Sequence, residues 1–376
     1  MTTLRLLPVT HPKDLTRFLR LPHRLHRGNP HWIAPLALER RQHLSPKNPY
    51  FRHARWQGWL ALRDGEPVGR ISAQIDRLYL ERHDDRTGFF GLLEAIDDPA
   101  VFEALLGQAE TWLREAGMTA VRGPFNLSIN HDCGLLIEGF DRPPMVMMPY
   151  NPPYYADRIE ALGYAKAKDL LAYRLETDVE FPAPVRRLAA KATGEIRVRP
   201  LRRRHLLEEF ELLRDIFNDA WSDNWGFVPF TREEFAEMAG TLKHIVADDF
   251  VQIAEYRGEA VGMIVAIPNL NQLLAGLDGR LLPFNWLRLL WRWKFQPPDS
   301  GRVILMGIRK SQRQSLMGAA IAYLLVDALR EPVLRHGMRF MELSWILEDN
   351  RRIRGIIESL GARIDKRYRI YQKALA

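Results

Sequence analysis

Two stretches of alternating apolar and polar residues, each folded about a turn, organise the chain. WQGWLALRDGEPVGRISAQID predicts a β-hairpin turning at Asp64-Gly65, and DFVQIAEYRGEAVGMIVAI predicts another at Arg257-Gly258. After a spacer each is followed by a helical pattern that ends on a glycine: VFEALLGQAETWLREAGM stops at Gly117 and AAIAYLLVDALREPVLRHGM at Gly337. A strand comes next in both (TAVRGPF, RFMELSWIL), then a helix ending at Leu162-Gly163 or Leu360-Gly361, then a closing strand. In the closing strands a lysine follows that glycine by five residues (Lys168, Lys366) and a tyrosine by ten (Tyr173, Tyr371).

When a whole order of elements recurs, duplication is the simplest reading. The pattern predicts two α/β units, residues 1–180 and 181–376. The join is placed in ETDVEFPAPVRRLAAKATGE, where Pro182 and Pro184 interrupt both periodicities before the strand IRVRPL.

Composition narrows the class of molecule. With 376 residues, 47% of them hydrophobic, the chain can bury two cores. The net charge of +8 favours anionic partners without choosing among phosphorylated cofactors, acidic carrier proteins, anionic lipid and nucleic acid. A single cysteine, Cys133, excludes an intramolecular disulfide and a cysteine-cluster metal site, and no metal is expected. The start, MTTLRLLPVTHPKD, lacks the features of a signal peptide, so a cytoplasmic location is expected. No apolar run reaches the roughly 18 residues that span a bilayer.

Candidate chemistry lies in three places. In VILMGIRKSQRQSLMGAAIAYLL a strand ending at Ile308 runs through a basic loop into a helix that begins with Gly318, Ala319 and Ala320. Small residues at a helix start let backbone N–H groups approach an anion, and Arg309, Lys310 and Arg313 add charge there, which suits a pyrophosphate. An ordinary strand-to-helix turn with small residues for packing has the same signature. In MELSWILEDN, Glu342 and Ser344 share one strand face, and Glu348, Asp349 and Asn350 crowd its end. Glu342 or Glu348 could accept a proton, whereas Asp349 or Asn350 could simply cap the next helix.

The third place is RGPFNLSINHDCGLLIEGFDRPPMVMMPYNPPYY in the first unit. Asn126, Ser128 and Asn130 alternate, so as a strand they would point one way, and Tyr150, Asn151, Tyr154 and Tyr155 follow. The segment reads either as the lining of a ligand pocket or as a rigid connection whose asparagines satisfy turns. His131, Asp132 and Cys133 make a thiol nucleophile or a metal site conceivable, but neighbours in a loop rarely point at one another.

An insertion, RLLPFNWLRLLWRWKFQPPD, interrupts the second unit at 280–299. Its helical wheel has a narrow polar stripe of Asn285, Arg288 and Arg292 against a broad face rich in leucine and tryptophan. That is the pattern of a helix lying in a membrane interface; a helix buried on all sides reads the same way. From Arg280 to Arg313 there are eight basic residues and one acid, Asp299, which would attract anionic lipid or an acidic carrier protein.

These segments resemble the GNAT superfamily of N-acyltransferases. The likeness lies in the apolar strand, the loop opening a helix, and the N-x-x-A-x-x-x-Y-x-x-x-G-F helix, matched at Asn350 and Gly361. It implies that each unit is a mixed, mostly antiparallel twisted sheet flanked by helices, with acyl-CoA, or an acyl carrier protein thioester, as co-substrate and an amine as acceptor; beside a thioester the apolar insertion suits a long acyl chain. The family's phosphate loop falls on Ser315 to Ala320, which with Ile308, Arg309, Arg313 and Gln314 makes up the expected donor site. The tyrosine that protonates the departing thiolate falls on Ile357, so Tyr368 is a substitute acid. In the first unit the equivalent loop carries Asp97 and Asp98, which repel phosphate and leave that unit the acceptor side.

The segments ELSWILEDN and YNPPYY are also similar to the N-acyltransferases of bacterial sphingolipid synthesis. This likeness implies a sphingoid-type lipid amine as acceptor, and the interfacial reading of 280–295 places the chain peripherally on the inner face of the cell membrane. Two other readings stay open: an aminoacyl-tRNA-dependent transferase acting on a lipid or peptidoglycan precursor, and a non-catalytic acyl-CoA sensor, favoured by Ile357 and Ser315. Nucleic acid is otherwise not an expected partner.

Overall fold

A computed structural model of the chain describes residues 4–183, 186–187, 194–243, 245–313 and 315–375. Gln314 of the expected donor loop lies outside the described residues. By internal contacts the chain forms two compact units, one of Met1–Leu170, Asn271–Phe295 and Lys366–Ala376, the other of Leu171–Leu270 and Gln296–Asp365. This differs from a single join near residue 180, and it gives most of the insertion to the first unit.

The strands run in chain order as β1 (Leu4–Pro8), β2 (Ala54–Arg63), β3 (Glu66–Asp76), β4 (Thr87–Ala95), β5 (Ala120–Gly123), β6 (Leu135–Glu138) and β7 (Ala165–Glu176). They continue as β8 (Ile196–Pro200), β9 (Val251–Tyr256), β10 (Glu259–Pro268), β11 (Ser300–Ile308), β12 (Phe340–Leu347) and β13 (Arg363–Ala374). The first unit's sheet has the order β1-β2-β3-β4-β5-β13, with β6 also on β13; the second has β7-β12-β11-β10-β9-β8. Both hairpins turn where the pattern predicts, with positive φ at Asp64 and Gly65 (51° and 84°) and at Arg257 and Gly258 (52° and 84°).

The closing strands explain why the units are not contiguous in sequence. Tyr371 to Ala374 of β13 pair with Gly123 to Ala120 of β5. Tyr371 Oη donates to Glu160 at 2.8 Å in the first unit, and Tyr173 Oη to Glu358 at 2.6 Å in the second. Each twin tyrosine is therefore held by the helix of the other sequence repeat. The insertion follows the first unit because Asn271 donates to Pro144 O (2.9 Å) and Ala37 N donates to Gly279 O (3.0 Å).

Alternation along β2 divides the first core between the two faces of the sheet. Trp59 and Ala61 pack with Val101, Phe102 and Leu105 of the helix Pro99–Glu115. Leu60 and Leu62 pack with Phe18 and Leu21 of the helix Pro12–Leu25. In the second unit the helix Arg232–Leu242 starts with a capping box between Thr231 and Glu234, and the helix Leu316–Arg335 carries Ile321 and Leu325 into the core.

Each unit contains a parallel pair that stops early and a bulge close to where it stops. β4 pairs with β5 only from Thr87 to Phe89, and Leu92 and Leu93 together stand opposite Ile71 of β3. β11 pairs with β12 only from Ser300 to Val303, and Ile304 is the extra residue against β10. At the first bulge a Cβ on Gly91 would lie 1.7 Å from Phe125 O, so no larger residue fits without moving backbone. Gly91→Ala is expected to cost about 2–3 kcal/mol in urea unfolding. Gly107→Ala, in open space on an exposed helix position, is expected to stabilise by up to about 1 kcal/mol.

Candidate active-site clefts

Past the point where β4 and β5 part, the segment after β5 closes against the bulge. Phe125 N donates to Phe90 O (2.8 Å), and the Asn126 side chain accepts from Leu92 N (2.9 Å), satisfying backbone that lacks a neighbouring strand. Residues 126–131 form bends and turns, with Leu127 at φ 97°: the Asn126 side chain is taken up by Leu92 N, and Ser128 bonds Asn130 N and the His131 ring locally. The strand-like alternation expected of Asn126, Ser128 and Asn130 is not formed.

Between this segment, β4 and the chain's first fifty residues lies a cleft of about 1130 Å³, counting the space at its open mouth. Leu19, Trp32, Met147 and Met148 supply apolar wall; Arg40, His43, Arg70, Glu94 and Asp132 supply charge and hydrogen bonds. Glu94 Oε2 accepts from His26 Nε2 and from Tyr155 Oη, both at 2.9 Å, and Arg70 stands 3.9 Å from Oε1. Burial opposes ionisation of Glu94, but His26 and Arg70 outweigh it and hold the carboxyl below its usual range. Burial pulls the Arg70 guanidinium down to about 10, with Glu94 opposing. The His26 ring stacks on Trp32 at 4.9 Å.

A second polar group faces the same space. Arg40 bonds Glu39 at 2.8 Å and Asp132 at 3.2 Å; burial opposes its charge, but these carboxylates raise its pKa. His43 Nε2 lies 3.1 Å from Asn126 O, and since a carbonyl only accepts, Nε2 carries the proton and Nδ1 the lone pair. Burial, then His131 and Arg40, push the pKa of His43 down to about 3, so the ring is neutral at physiological pH. The cleft thus offers a neutral imidazole, countered guanidiniums and carboxylates beside an apolar wall, which suits an amphipathic ligand with a polar head.

Of the acceptor residues expected from sequence, Asn126, Tyr150 and Asn151 line this cleft. Asn151 also clamps Leu136 through its N–H (2.8 Å) and its O (3.1 Å). Ser128 bonds His131 Nδ1 at 3.0 Å, Tyr154 donates to Ala95 O at 2.7 Å, and the buried Tyr155 acts through Glu94; these three and Asn130 lie outside the lining. His131, Asp132 and Cys133 turn to different partners: Ser128, Arg40 and Ile129 O. Tyr368 is fully buried in β13 opposite Leu136.

In the second unit, Glu342 is 2% exposed; Ser344 Oγ donates to it at 2.5 Å, and Arg302 Nε donates to Ser344 Oγ at 2.7 Å and stands 3.8 Å from the carboxylate. Glu348 is half-buried near the strand end, and Asn350 caps the helix Arg351–Ser359 by accepting from Ile353 N (3.3 Å). Around the donor loop, Ile308 is buried and Ser315 caps the helix Leu316–Arg335 through Gly318 N (3.1 Å). A Cβ on Gly318 would lie 2.4 Å from Gln312 O, so the glycine serves the turn before the helix. Ala319 is half-buried and Ala320 is buried.

The loop's cations have protein partners, contrary to their expected role as free charge for phosphate. Arg309 bonds Asp215 at 2.6 Å, Lys310 and Arg313 bond Asp223 at 2.5 Å and 3.1 Å, and Arg352 donates to Ser315 O at 3.0 Å at the helix start. The acids sit on and just after the helix Leu206–Trp221, which sequence inspection of the loop alone could not anticipate.

The insertion forms the helix Asn285–Phe295 with its polar stripe turned inward. Asn285 donates to Arg280 O (2.8 Å), and Arg292 to Leu273 O (2.6 Å) and Ala275 O (2.7 Å). Phe284, Leu290, Trp291 and Phe295 are each more than half exposed. Of the eight basic residues from Arg280 to Arg313, Arg288, Arg292, Arg302, Arg309, Lys310 and Arg313 bond protein groups, so the charge offered outward is smaller than the sequence count. Among the described residues no helix is long and apolar enough to cross a membrane.

No protein-family model matches the chain. A tandem GNAT protein from the clavulanic acid biosynthesis pathway superposes with a TM-score of 0.57, at 14% identity, covering 100% of this chain and 99% of that one. Protein YghO of Escherichia coli (strain K12) is 47% identical over 363 residues, 96% of this chain and 93% of YghO. Bacterial ceramide synthase of Caulobacter vibrioides (strain NA1000 / CB15N) is 44% identical over 375 residues, 99% of this chain and 98% of its own. The chain belongs to the family of Protein YghO and bacterial ceramide synthase, and it has the fold of a tandem GNAT protein.

The residues in and beside the cleft that sequence reading missed are those contributed from before residue 100. His26, Arg40, His43, Arg70 and Glu94 are far apart in sequence and meet only through the fold. A signal was present: residues 23, 26, 31 and 43 are four of the chain's eleven histidines. The neutral His43 has a consequence for stability. Its folded pKa lies below its unfolded value, so the unfolded chain takes up the proton first and stability falls as pH drops from about 6.5 toward 3. Between pH 7 and 4.5, wild type is expected to lose about 1–2 kcal/mol more than His43→Gln in urea titrations, the ring's partial exposure keeping the figure below that of full burial.

Proposed function

We propose that this protein moves a long-chain acyl group from a thioester, of CoA or of an acyl carrier protein, to the amine of a sphingoid-type lipid. The observation that carries this reading is the 44% identity to bacterial ceramide synthase along 99% of the chain. The first-unit cleft supports it by setting hydrogen-bonding and charged groups beside an apolar wall, as a lipid amine's head requires. The second unit is proposed as the donor side, with the thioester where β11 leaves β12 and the phosphates at the start of the helix Leu316–Arg335. Because Arg309, Lys310 and Arg313 are already paired, the helix amides and Arg352 would carry most of that attraction.

In the proposed reaction the free amine attacks the thioester carbonyl, a C–N bond forms, and the π electrons move to oxygen. Collapse of the tetrahedral species breaks the C–S bond and releases the thiolate, while the amine's proton passes to a base. Glu348 is the preferred base, because Glu342 would have to leave a buried ion pair with Arg302 to take a proton. Release of thiol from a long-chain acyl-CoA with a sphingoid amine, followed by absorbance, tests this directly. Glu348→Gln is expected to lower kcat by about 100-fold or more with thioester affinity unchanged. If neither Glu348→Gln nor Glu342→Gln slows release, the base is elsewhere; if wild type consumes no thioester with any long-chain amine, the function is another.

The exposed face of Asn285–Phe295 supports a place on the inner face of the cell membrane, where such an acceptor resides. Flotation with vesicles containing anionic lipid is expected to carry wild type upward. Leu290→Glu with Trp291→Glu should leave the protein at the bottom of the gradient with its fold intact, and equal flotation of both would remove the membrane from the account.

A further inference from the structure

The bulge in each unit opens onto a cavity, and the two cavities differ in chemistry. At Leu92 and Leu93 the first unit presents Arg40, His43, Arg70 and Glu94. At Ile304 the second unit presents a groove of about 550 Å³, counting its open mouth, between the sheet and the helices Leu206–Trp221 and Arg232–Leu242. Its floor is Val265, Ile304 and Leu305, and its walls include Phe210, Met238 and Ala239. The charged residues in the lining, Arg203 and Lys243, are exposed. Phe210 and Met238 are only half-buried, so packing leaves their apolar surface open to water.

We propose that this groove holds the acyl chain of the donor thioester, with the carbonyl end at Ile304. The inference rests on the acyl-transfer reading above. A lining with almost no polar group cannot orient a head group, but it suits a chain of methylenes, whose burial is favourable and non-directional. The floor contains the residue at which β11 has just stopped pairing with β12, so a thioester in that gap would have the groove next to its carbonyl. The bulge there is what turns side chains of the strand away from the regular ladder.

Calorimetric binding of non-hydrolysable acyl-CoA thioethers, from acetyl to palmitoyl, tests this on the full-length protein without requiring turnover. Wild-type affinity is expected to rise about three- to fourfold per added methylene until the groove is full. Ala239→Phe should end the rise at shorter chains, with the short thioethers binding as to wild type, and Met238→Ala should extend it to longer ones. A flat wild-type series, or a rise that folded Ala239→Phe and Met238→Ala both leave unchanged, would overturn the assignment. If Ala239→Phe does not fold, the Met238→Ala profile decides alone. Flat binding with intact turnover removes the groove and keeps the acyl-transfer function; chain-dependent binding altered by these variants, with no turnover on any amine, does the reverse.

Discussion

Parallel strands that part after a few pairs impose the constraint on which the rest of this structure depends. A ladder that ends within a sheet leaves backbone polar groups that need other partners, and a bulge next to the break bends the strand away from its neighbour. In the first unit the break is closed by the Phe125–Asn126 segment, whose backbone and side chain take over the lost pairing. Gly91 is the residue that lets this segment come so close. Once that segment is fixed, Asn126 O is where His43 can reach it and Asp132 is where Arg40 can, and the polar cleft follows.

The same scaffold has different surroundings at the bulge in its second use. Around Leu92 the polar neighbours are charged and mutually countered; around Ile304 they are mainly leucine, valine, phenylalanine and alanine. A buried guanidinium such as Arg70 is tolerable only with Glu94 beside it, and that carboxylate is in turn held by His26 and Tyr155. Through this network Tyr155, which does not line the cleft, holds a carboxylate that does. The insertion inverts the usual arrangement of a surface helix: its arginines satisfy carbonyls beneath it, so its tryptophans and leucines face outward.

Much of the fold was legible in the sequence because local signals determine it. The hairpins needed only alternation around Asp64-Gly65 and Arg257-Gly258, and the repeat needed only the order of elements. The exchange of closing strands was not legible, since Tyr173 and Tyr371 occupy matching places in sequence and nothing local says which helix each will meet. Asn126, Tyr150 and Asn151 could be found because they lie in one unusual segment. His43 and Glu94 could not be paired with that segment, being brought to it by helix and sheet packing. The basic loop misled for a related reason: Asp215 and Asp223, which hold its cations, are about ninety residues away in sequence.

The central claim is that one duplicated scaffold carries a polar acceptor cleft in its first unit and a donor site in its second. Hydrogen–deuterium exchange of the full-length protein, with a sphingoid amine and separately with a non-hydrolysable acyl-CoA, tests it most directly. The account predicts that the amine slows exchange in Leu92–Glu94 and Asn126–Leu135, and that the acyl-CoA slows it in Val303–Ile308 and at the start of the helix Leu316–Arg335. Protection of the same first-unit segments by both ligands, with the second unit unaffected, would contradict it.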